Sequence, residues 1–408
     1  MADPQLKHAA VSLHVVNTAN GAVLFTDNAA MGLAPASTQK LITAATAYEL
    51  LGANFRYKTV FEWDNARKRI AVQPSGDPTL GSWRWPATRE EYIFEQMMKI
   101  QIDAKANVVV DAAINDAGMV PDGWIWEDVG NYYGAGPHHF NWRENQFDLF
   151  LQSGSRIGDT VRITGAAPFW AARSLRSEAT AAAAGTGDNA FIYYPMQQPY
   201  GVVKGTIPVN QQKFSISGSI QFPALFFTEA YTRYAVENKN AGNTTTAADY
   251  VHYSPPLDSI VFWFNRRSIN LYGEALLWTI GEQKRVRSTE AGVAVLQDFW
   301  KERGITAQEL NIVDGSGLSP LNRVTTRAQV AVLLHAAKQL WYKGFYASLP
   351  TFNGINMKSG TIRGVKGFTG YVQSKTGERY AFSFLVNNFN GSASAVVQKM
   401  YAVLDVLK

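Results

Sequence analysis

The sequence predicts an α/β chain: an antiparallel sheet flanked by helices, interrupted by a long, partly β-rich insertion. Three observations carry this expectation. Residues 41–51 are apolar nearly all round and are bracketed by Pro35 and Gly52, the pattern of a helix buried on every side. Near both ends of the chain, at 11–26 and 367–387, apolar and polar residues alternate in paired runs joined by polar turns, as sheet strands do. Between 147 and 251 the chain breaks into many short alternating runs, which marks a β-rich module set between the two ends.

The elements follow in order. Residues 11–16 and 22–25 form a hairpin about a turn at 17–21, and the 41–51 helix comes next. Runs 57–63 and 69–73 form a second hairpin, with Arg67-Lys68-Arg69 as its solvated turn. From about residue 65 the chain is expected to leave the first domain. The boundaries so read are 1–64 with 251–408 for one domain and 65–250 for the insertion, as one or two small domains, part of it returning to the active-site groove. Strands are expected at 160–164, 190–194, 202–207 and 214–220, a loop at 179–189, a helix at 223–239 and a loop at 241–246. Helices at 289–304 and 326–343 precede strands at 367–372 and 380–387. There is no internal repeat.

Composition narrows the class. A chain of 408 residues, 46% hydrophobic and 17% charged, is long and apolar enough for a folded, multi-domain protein. Its net charge of +5 is mild and not patterned as a nucleic-acid surface, so no nucleic acid is expected as a partner. The absence of cysteine removes disulfide and thiol chemistry. No stretch is apolar enough to span a bilayer, and Met1-Ala-Asp-Pro-Gln lacks the apolar segment of a signal peptide. His138-His139 invites a metal, but adjacent histidines diverge and no carboxylate-histidine spacing supports a site, so neither metal nor cofactor is expected.

Ser37-Thr-Gln-Lys40 carries the chemistry. A serine at the mouth of a buried helix is exposed only at its end, and a lysine three residues on lies along the same face. The helix N-terminus favours developing negative charge, and a lysine stripped of water is a base for a serine nucleophile. The plainer alternative is an N-cap serine followed by a surface lysine, although the rest of the helix leaves little polar face for it. Two further elements stand downstream. Ser268-Ile-Asn270 opens a mostly apolar helical run, and Lys358-Ser-Gly-Thr361 precedes the strand at 367–372. Ser-x-x-Lys, Ser-x-Asn and Lys-Ser/Thr-Gly in that order form the signature of serine β-lactamases and penicillin-binding proteins.

The chain resembles the low-molecular-mass class C penicillin-binding proteins, the D-alanyl-D-alanine carboxypeptidase/endopeptidase family. Beyond the three motifs, Ser75-Gly-Asp-Pro-Thr-Leu80, Tyr133-Gly-Ala-Gly136, Asn141-Trp-Arg-Glu-Asn145 and Asp314-Gly-Ser-Gly-Leu-Ser319 resemble that family's blocks, and so does the long gap between Lys40 and Ser268. The resemblance implies a catalytic domain of the serine β-lactamase/penicillin-binding type and a DD-peptidase acting on peptidoglycan stem peptides through an acyl-serine. β-Lactams would bind covalently.

By the same resemblance, Ser37 attacks, Lys40 takes its proton, Lys358 is the second cation, Ser268 relays the proton to the leaving amine and Asn270 holds the substrate backbone. Ser359, Gly360 and Thr361 would meet the substrate's terminal carboxylate. The oxyanion hole would be the N–H groups of Ser37 and Thr361, and Ser316 would touch substrate. Trp124, Asp128 and Tyr133 would form a pocket for the stem peptide's free amine, with Glu127 the less favoured acid; an aromatic core loop is the competing reading of that stretch. Pro320 stands where some relatives carry an arginine, and Arg323 falls a few residues late. Arg363 is one substitute, though a solvated loop charge suits it better. Asp77 and Asn145 read as residues that hold loops.

A second Lys-Thr-Gly, at Lys375, lies in a polar turn and is set aside as the third motif. A cell-wall role implies a periplasmic or extracytoplasmic location. Two alternatives remain: a β-lactamase or esterase on the same scaffold, and a non-catalytic peptidoglycan-binding protein that kept the motifs. The sequence leaves open the balance of carboxypeptidase and endopeptidase activity and the oligomeric state.

Overall fold

Strands from both ends of the chain build one six-stranded antiparallel sheet. The computed structural model describes residues 3–100, 107–111, 119–195, 198, 200–238 and 249–408. The sheet comprises β1 (Ala10–Asn17), β2 (Val23–Asp27), β3 (Thr351–Phe352), β4 (Ile355–Ile362), β5 (Val365–Gln373) and β6 (Arg379–Asn387), in the order β3-β4-β5-β6-β1-β2. The period of two separates its faces. Leu13, Val15, Met357, Phe368, Phe382 and Phe384 form a core with Val396, Met400 and Leu404 of the C-terminal helix. The opposite face carries a buried polar row, in which Lys358 pairs with Thr369, Thr369 with Ser383 and Ser383 with His14.

The helices beside this sheet are α1 (Lys40–Leu51), α2 (Leu257–Arg267), α3 (Asn270–Gly281), α4 (Thr289–Lys301), α5 (Thr326–Ala336) and α6 (Ala393–Asp405). Residues 40–48 of α1 and every residue of α3 are buried, as their all-round apolar sequences require. Thr46 and Thr43 hide their hydroxyls in hydrogen bonds, Thr46 accepting from the Trp300 indole at 2.9 Å and Thr43 donating to the Gly315 carbonyl at 2.7 Å. Gln329 of α5 faces the polar row, accepting from Thr369 and Ser383 and donating to Thr38. No described helix is long and apolar enough to cross a membrane.

The chain forms two compact units. The first holds Met1–Phe55, Pro121–Gly123 and Pro256–Lys408, and the second holds Arg56–Val120 and Trp124–Pro255. These units differ from the expected division into 1–64 with 251–408 and 65–250. The strand Lys58–Asp64 pairs with Arg69–Gln73 on one side and Tyr250–Tyr253 on the other, so all three strands lie in the second unit.

Taken by itself, the second unit shows two apolar clusters among its described residues. In one, Phe61, Ile70 and Val72 pack with Phe94, Trp142 and Phe227. In the other, Phe147, Leu149, Ile192 and Val203 meet between shorter sheets. The expected strands are found at Arg162–Ala167, Asn189–Tyr193, Gly201–Pro208 and Phe214–Ser219. The 179–189 stretch, read as a loop, contains a short strand, Thr180–Ala182, paired with residues 206–208. The 223–239 helix is described as Pro223–Glu237, and the expected loop at 241–246 lies outside the described residues.

One helix in the first unit is shorter than its sequence suggests. The 326–343 run ends at Ala336, and a separate helix spans Tyr342–Ser348. Between them Leu340 is fully exposed, while Trp341 stacks on Tyr48 with ring centroids 4.9 Å apart. That stacking rewards a break in the helix.

Candidate active site

Ser37 sits on a 3-10 turn, Ala36–Gln39, that leads into α1 at Lys40. Such a turn has three residues per revolution, so positions i and i+3 eclipse. This stacks Lys40 under Ser37, and its Nζ donates to Ser37 Oγ at 2.9 Å. Ala36, just before, holds a left-handed φ of 46°, a conformation that costs a non-glycine residue energy and that packing must enforce. Opposite it Gly317 has φ 80°, and a Cβ there would lie 1.9 Å from the Ala36 carbonyl oxygen.

Lys40 is fully buried. Its Nζ also donates to Asn270 Oδ1 at 2.6 Å and to the Ser316 carbonyl at 2.7 Å. The Phe264 ring lies 5.8 Å from the same nitrogen. Burial lowers the Lys40 pKa to about 7, against the opposing pull of Asp314 and Glu274. A buried amine therefore loses its proton near neutrality and becomes a base.

Ser268 ends α2 in a left-handed conformation, φ 57°, and Asn270 opens α3. Lys358 of β4 is buried; its Nζ donates to Ser268 Oγ at 3.1 Å and to the Ser359 carbonyl at 2.8 Å. Its pKa falls well below the usual lysine range, first from burial and then from the charges of Lys40 and Lys366. The two amines thus divide the hydroxyls: Lys40 serves Ser37, and Lys358 serves Ser268.

Gly360 lets the strand approach the nucleophile. A Cβ there would lie 2.6 Å from the Pro35 carbonyl and 3.0 Å from the backbone nitrogens of Ser37 and Thr38. The edge of β4 therefore runs against the turn that carries Ser37. Ser359 is half-buried and Thr361 exposed, its hydroxyl accepting from Lys366 at 2.5 Å. Ser37, Lys40, Ser268, Asn270, Ser316, Lys358, Ser359, Gly360 and Thr361 all belong to the first unit. Lys375, of the second Lys-Thr-Gly, is exposed in the turn between β5 and β6.

Beneath Lys40 lies a buried polar layer. Asp314 accepts from Gly317 and Ser319 N–H, from Asn322 Nδ2 and from Gln39 Nε2. Glu274 accepts the Gly315 N–H at 2.8 Å. Sequence reasoning missed Gln39 and Glu274. The one available signal for Glu274 was a carboxylate four residues after Asn270 inside an otherwise apolar run.

Trp124, Asp128 and Tyr133 belong to the second unit. Trp124 is buried, while Asp128 and Tyr133 are half-buried. Burial, then the Asp128 and Glu127 carboxylates, push the Tyr133 hydroxyl pKa up. Trp126, more exposed than its neighbours, donates to the Tyr194 carbonyl at 2.7 Å. Asp77 and Asn145 tie down loops in this unit: Asp77 accepts from the Thr79 N–H and hydroxyl, and Asn145 accepts from Trp142 N–H and donates to the Gly136 carbonyl. Arg323, in the first unit, turns back to the Pro320 and Asn322 carbonyls, and Arg363 is exposed.

The sequence matches the D-Ala-D-Ala carboxypeptidase 3 (S13) family over residues 1–406. The chain belongs to that family. It is a serine-type DD-peptidase that acts on peptidoglycan. The D-alanyl-D-alanine carboxypeptidase of Actinomadura sp. (strain R39) is 28% identical, over 98% of this chain and 82% of that protein. Among solved structures, penicillin binding protein 4 (dacB) of Haemophilus influenzae has a TM-score of 0.75 at 20% identity, covering 95% of this chain and 92% of that one. A predatory endopeptidase of Bdellovibrio bacteriovorus, solved with its immunity protein, has a TM-score of 0.53 at 16% identity, covering 98% and 93%. This S13 chain shares their fold: the antiparallel sheet and buried helices carry the serine and both lysines, and the second unit is the insertion.

Proposed function

We propose that Ser37 is the nucleophile of this S13 peptidase and Lys40 its general base. The observation that carries the reading is the 2.9 Å contact between Lys40 Nζ and Ser37 Oγ, made by a lysine that burial brings near neutrality. Lys40 takes the hydroxyl proton as Oγ bonds to the carbonyl carbon between two D-alanine residues. The carbonyl oxygen becomes an oxyanion held by the N–H groups of Ser37 and Thr361. The close approach at Gly360 supports this pairing, and removing one such donor typically costs about 3–4 kcal/mol of transition-state stabilisation. As the C–N bond breaks, Ser268 gives its proton to the leaving amine and regains one from Lys358. Water then hydrolyses the ester by the reverse proton path, releasing acid and free Ser37.

Asn270 would hold the substrate backbone while also accepting from Lys40. Lys358, Ser359, Gly360 and Thr361 would receive the terminal carboxylate, whose charge favours the protonated form of Lys358. Trp124, Asp128 and Tyr133 are assigned to the stem peptide's amine, and Ser316 to substrate contact. β-Lactams would acylate Ser37. One solved structure of the Haemophilus protein contains a β-lactam, and one Bdellovibrio endopeptidase is acylated by penicillin G. Its substrate places the enzyme outside the cytoplasm, periplasmic in a Gram-negative cell.

Incubation with a D-Ala-D-Ala stem peptide and, separately, with a fluorescent penicillin tests this reading. Released D-alanine and a stable label are expected. Rapid turnover of the drug without D-alanine would point to a β-lactamase, and neither signal would point to a non-catalytic binder.

A further inference from the structure

Glu274 has no part in that mechanism, yet it is fully buried within a helix whose other side chains are mostly apolar. A carboxyl so placed is costly unless something compensates for it. Its Oε2 accepts the Gly315 N–H at 2.8 Å, and the Ser316 side chain hydrogen-bonds the same carboxyl. Around these bonds α3 and the 314–319 loop are pressed together. A Cβ on Gly315 would lie 2.4 Å from the Gly273 carbonyl oxygen, and one on Gly273 would lie 3.0 Å from the Gly315 carbonyl oxygen. The two segments so joined each supply an acceptor to Lys40. Ser316 O, next to Gly315, comes from the loop; Asn270 Oδ1, one turn before Glu274 on the same helix face, comes from α3.

We propose that Glu274 is a positioning residue for the Lys40–Ser37 pair: its carboxyl clamps the loop to α3, so aiming two of Lys40's acceptors. This rests on Lys40 being the base for Ser37. The ionisable groups acting at this site are Lys40 from α1, Asp314 from the loop and Lys358 from β4, while α2 presents the Phe264 ring. Asp314 accepts from four donors, and Glu274 takes the Gly315 N–H together with a hydrogen bond from the Ser316 side chain. Burial and the Asp314 carboxylate push Glu274 above the usual carboxylate range, with Lys40 pulling the other way. Near pH 7 Glu274 is therefore mostly in its neutral form, and its part in the site is geometric.

The test is the rate of acylation by a fluorescent penicillin as a function of pH, for the whole wild-type chain, Glu274→Gln and Glu274→Asp, with thermal melts to verify folding. Glu274→Gln keeps an oxygen for the Gly315 N–H but cannot ionise. Because it keeps that oxygen, its rate and its acid limb are expected to stay near the wild-type values, and a folded Glu274→Gln as slow as Glu274→Asp would overturn the clamp. Glu274→Asp keeps the carboxyl but draws the oxygen back by one methylene, so the limb should stay near the wild-type position while the rate falls roughly tenfold to a hundredfold. A wild-type rate in Glu274→Asp would overturn the clamp, and this holds even where Glu274→Gln does not fold. A wild type that takes no label would instead refute the underlying assignment of Ser37 and Lys40.

Discussion

At residue 40, burial and charge oppose each other. Burial strips the proton from the amine, Asp314 and Glu274 hold it on, and the balance falls at about 7. If Lys40 is the base we propose, acylation should rise with pH through about 7 and then level off, because only a neutral amine can accept the serine proton. A rate that is flat across this range in stopped-flow labelling would contradict that role. Lys40→Met fills the space without the base and should slow labelling by about 10²–10⁴-fold. At Gly360 a methyl group would strike the Pro35 carbonyl. Gly360→Ala should cost about 1–3 kcal/mol of stability and slow acylation at least as clearly, measured by denaturant melts and labelling. The motif residues were legible because Ser37 and Lys40 lie within one turn and the other two motifs keep order and context. Glu274 and Gln39 were not, since nothing local in a sequence says that a carboxylate on α3 or the amide beside Lys40 will be buried against the 314–319 loop.

Among elements, the buried helices were the most legible. All-round apolar runs with Pro35 before and Gly52 after leave few other solutions, and the terminal hairpins alternate cleanly. The 3-10 turn ahead of α1 was not foreseen, because it is fixed by Gly317 and Gly360 from distant segments. The break after α5 likewise depends on a partner, Tyr48, that only the fold supplies. In the second unit, the strand Tyr250–Tyr253 and the loop at Asp77 carry a different pair. His252 Nε2 and Asp77 Oδ2 lie 3.8 Å apart, both buried and neither hydrogen-bonded among the described residues. Burial lowers the His252 pKa to about 4 and raises that of Asp77 to about 6. The signs oppose. Folded His252 binds fewer protons than the unfolded chain, so it loses stability as pH falls from about 6.5 towards 4. Folded Asp77 binds more, so it gains stability as pH falls from about 6 towards 3.8. In the wild type these slopes offset each other. Asp77→Asn should leave the histidine slope alone, giving a steeper loss of melting temperature on acidification between pH 6.5 and 4. An unchanged slope would show that the pair is not coupled to folding.

On the scale of the whole molecule, the chain leaves its first unit near residue 55 and returns near 256. The sequence suggested the insertion through the long gap between Lys40 and Ser268. The edges read from sequence differ from those of the two units because the hairpin at 57–73 reads as a hairpin wherever it belongs, and its pairing with Tyr250–Tyr253 joins it to the second unit. Each unit has its own apolar core, so calorimetry should show more than one unfolding transition, and a single two-state transition would contradict that organisation. Throughout, the proposed chemistry depends on one hydroxyl, that of Ser37. Peptide mapping by mass spectrometry after brief exposure to penicillin tests it most directly. The penicilloyl mass should fall on the peptide carrying Ser37, and Ser37→Ala, still folded, should carry none. An adduct on any other residue, or a labelled Ser37→Ala protein, would contradict the assignment.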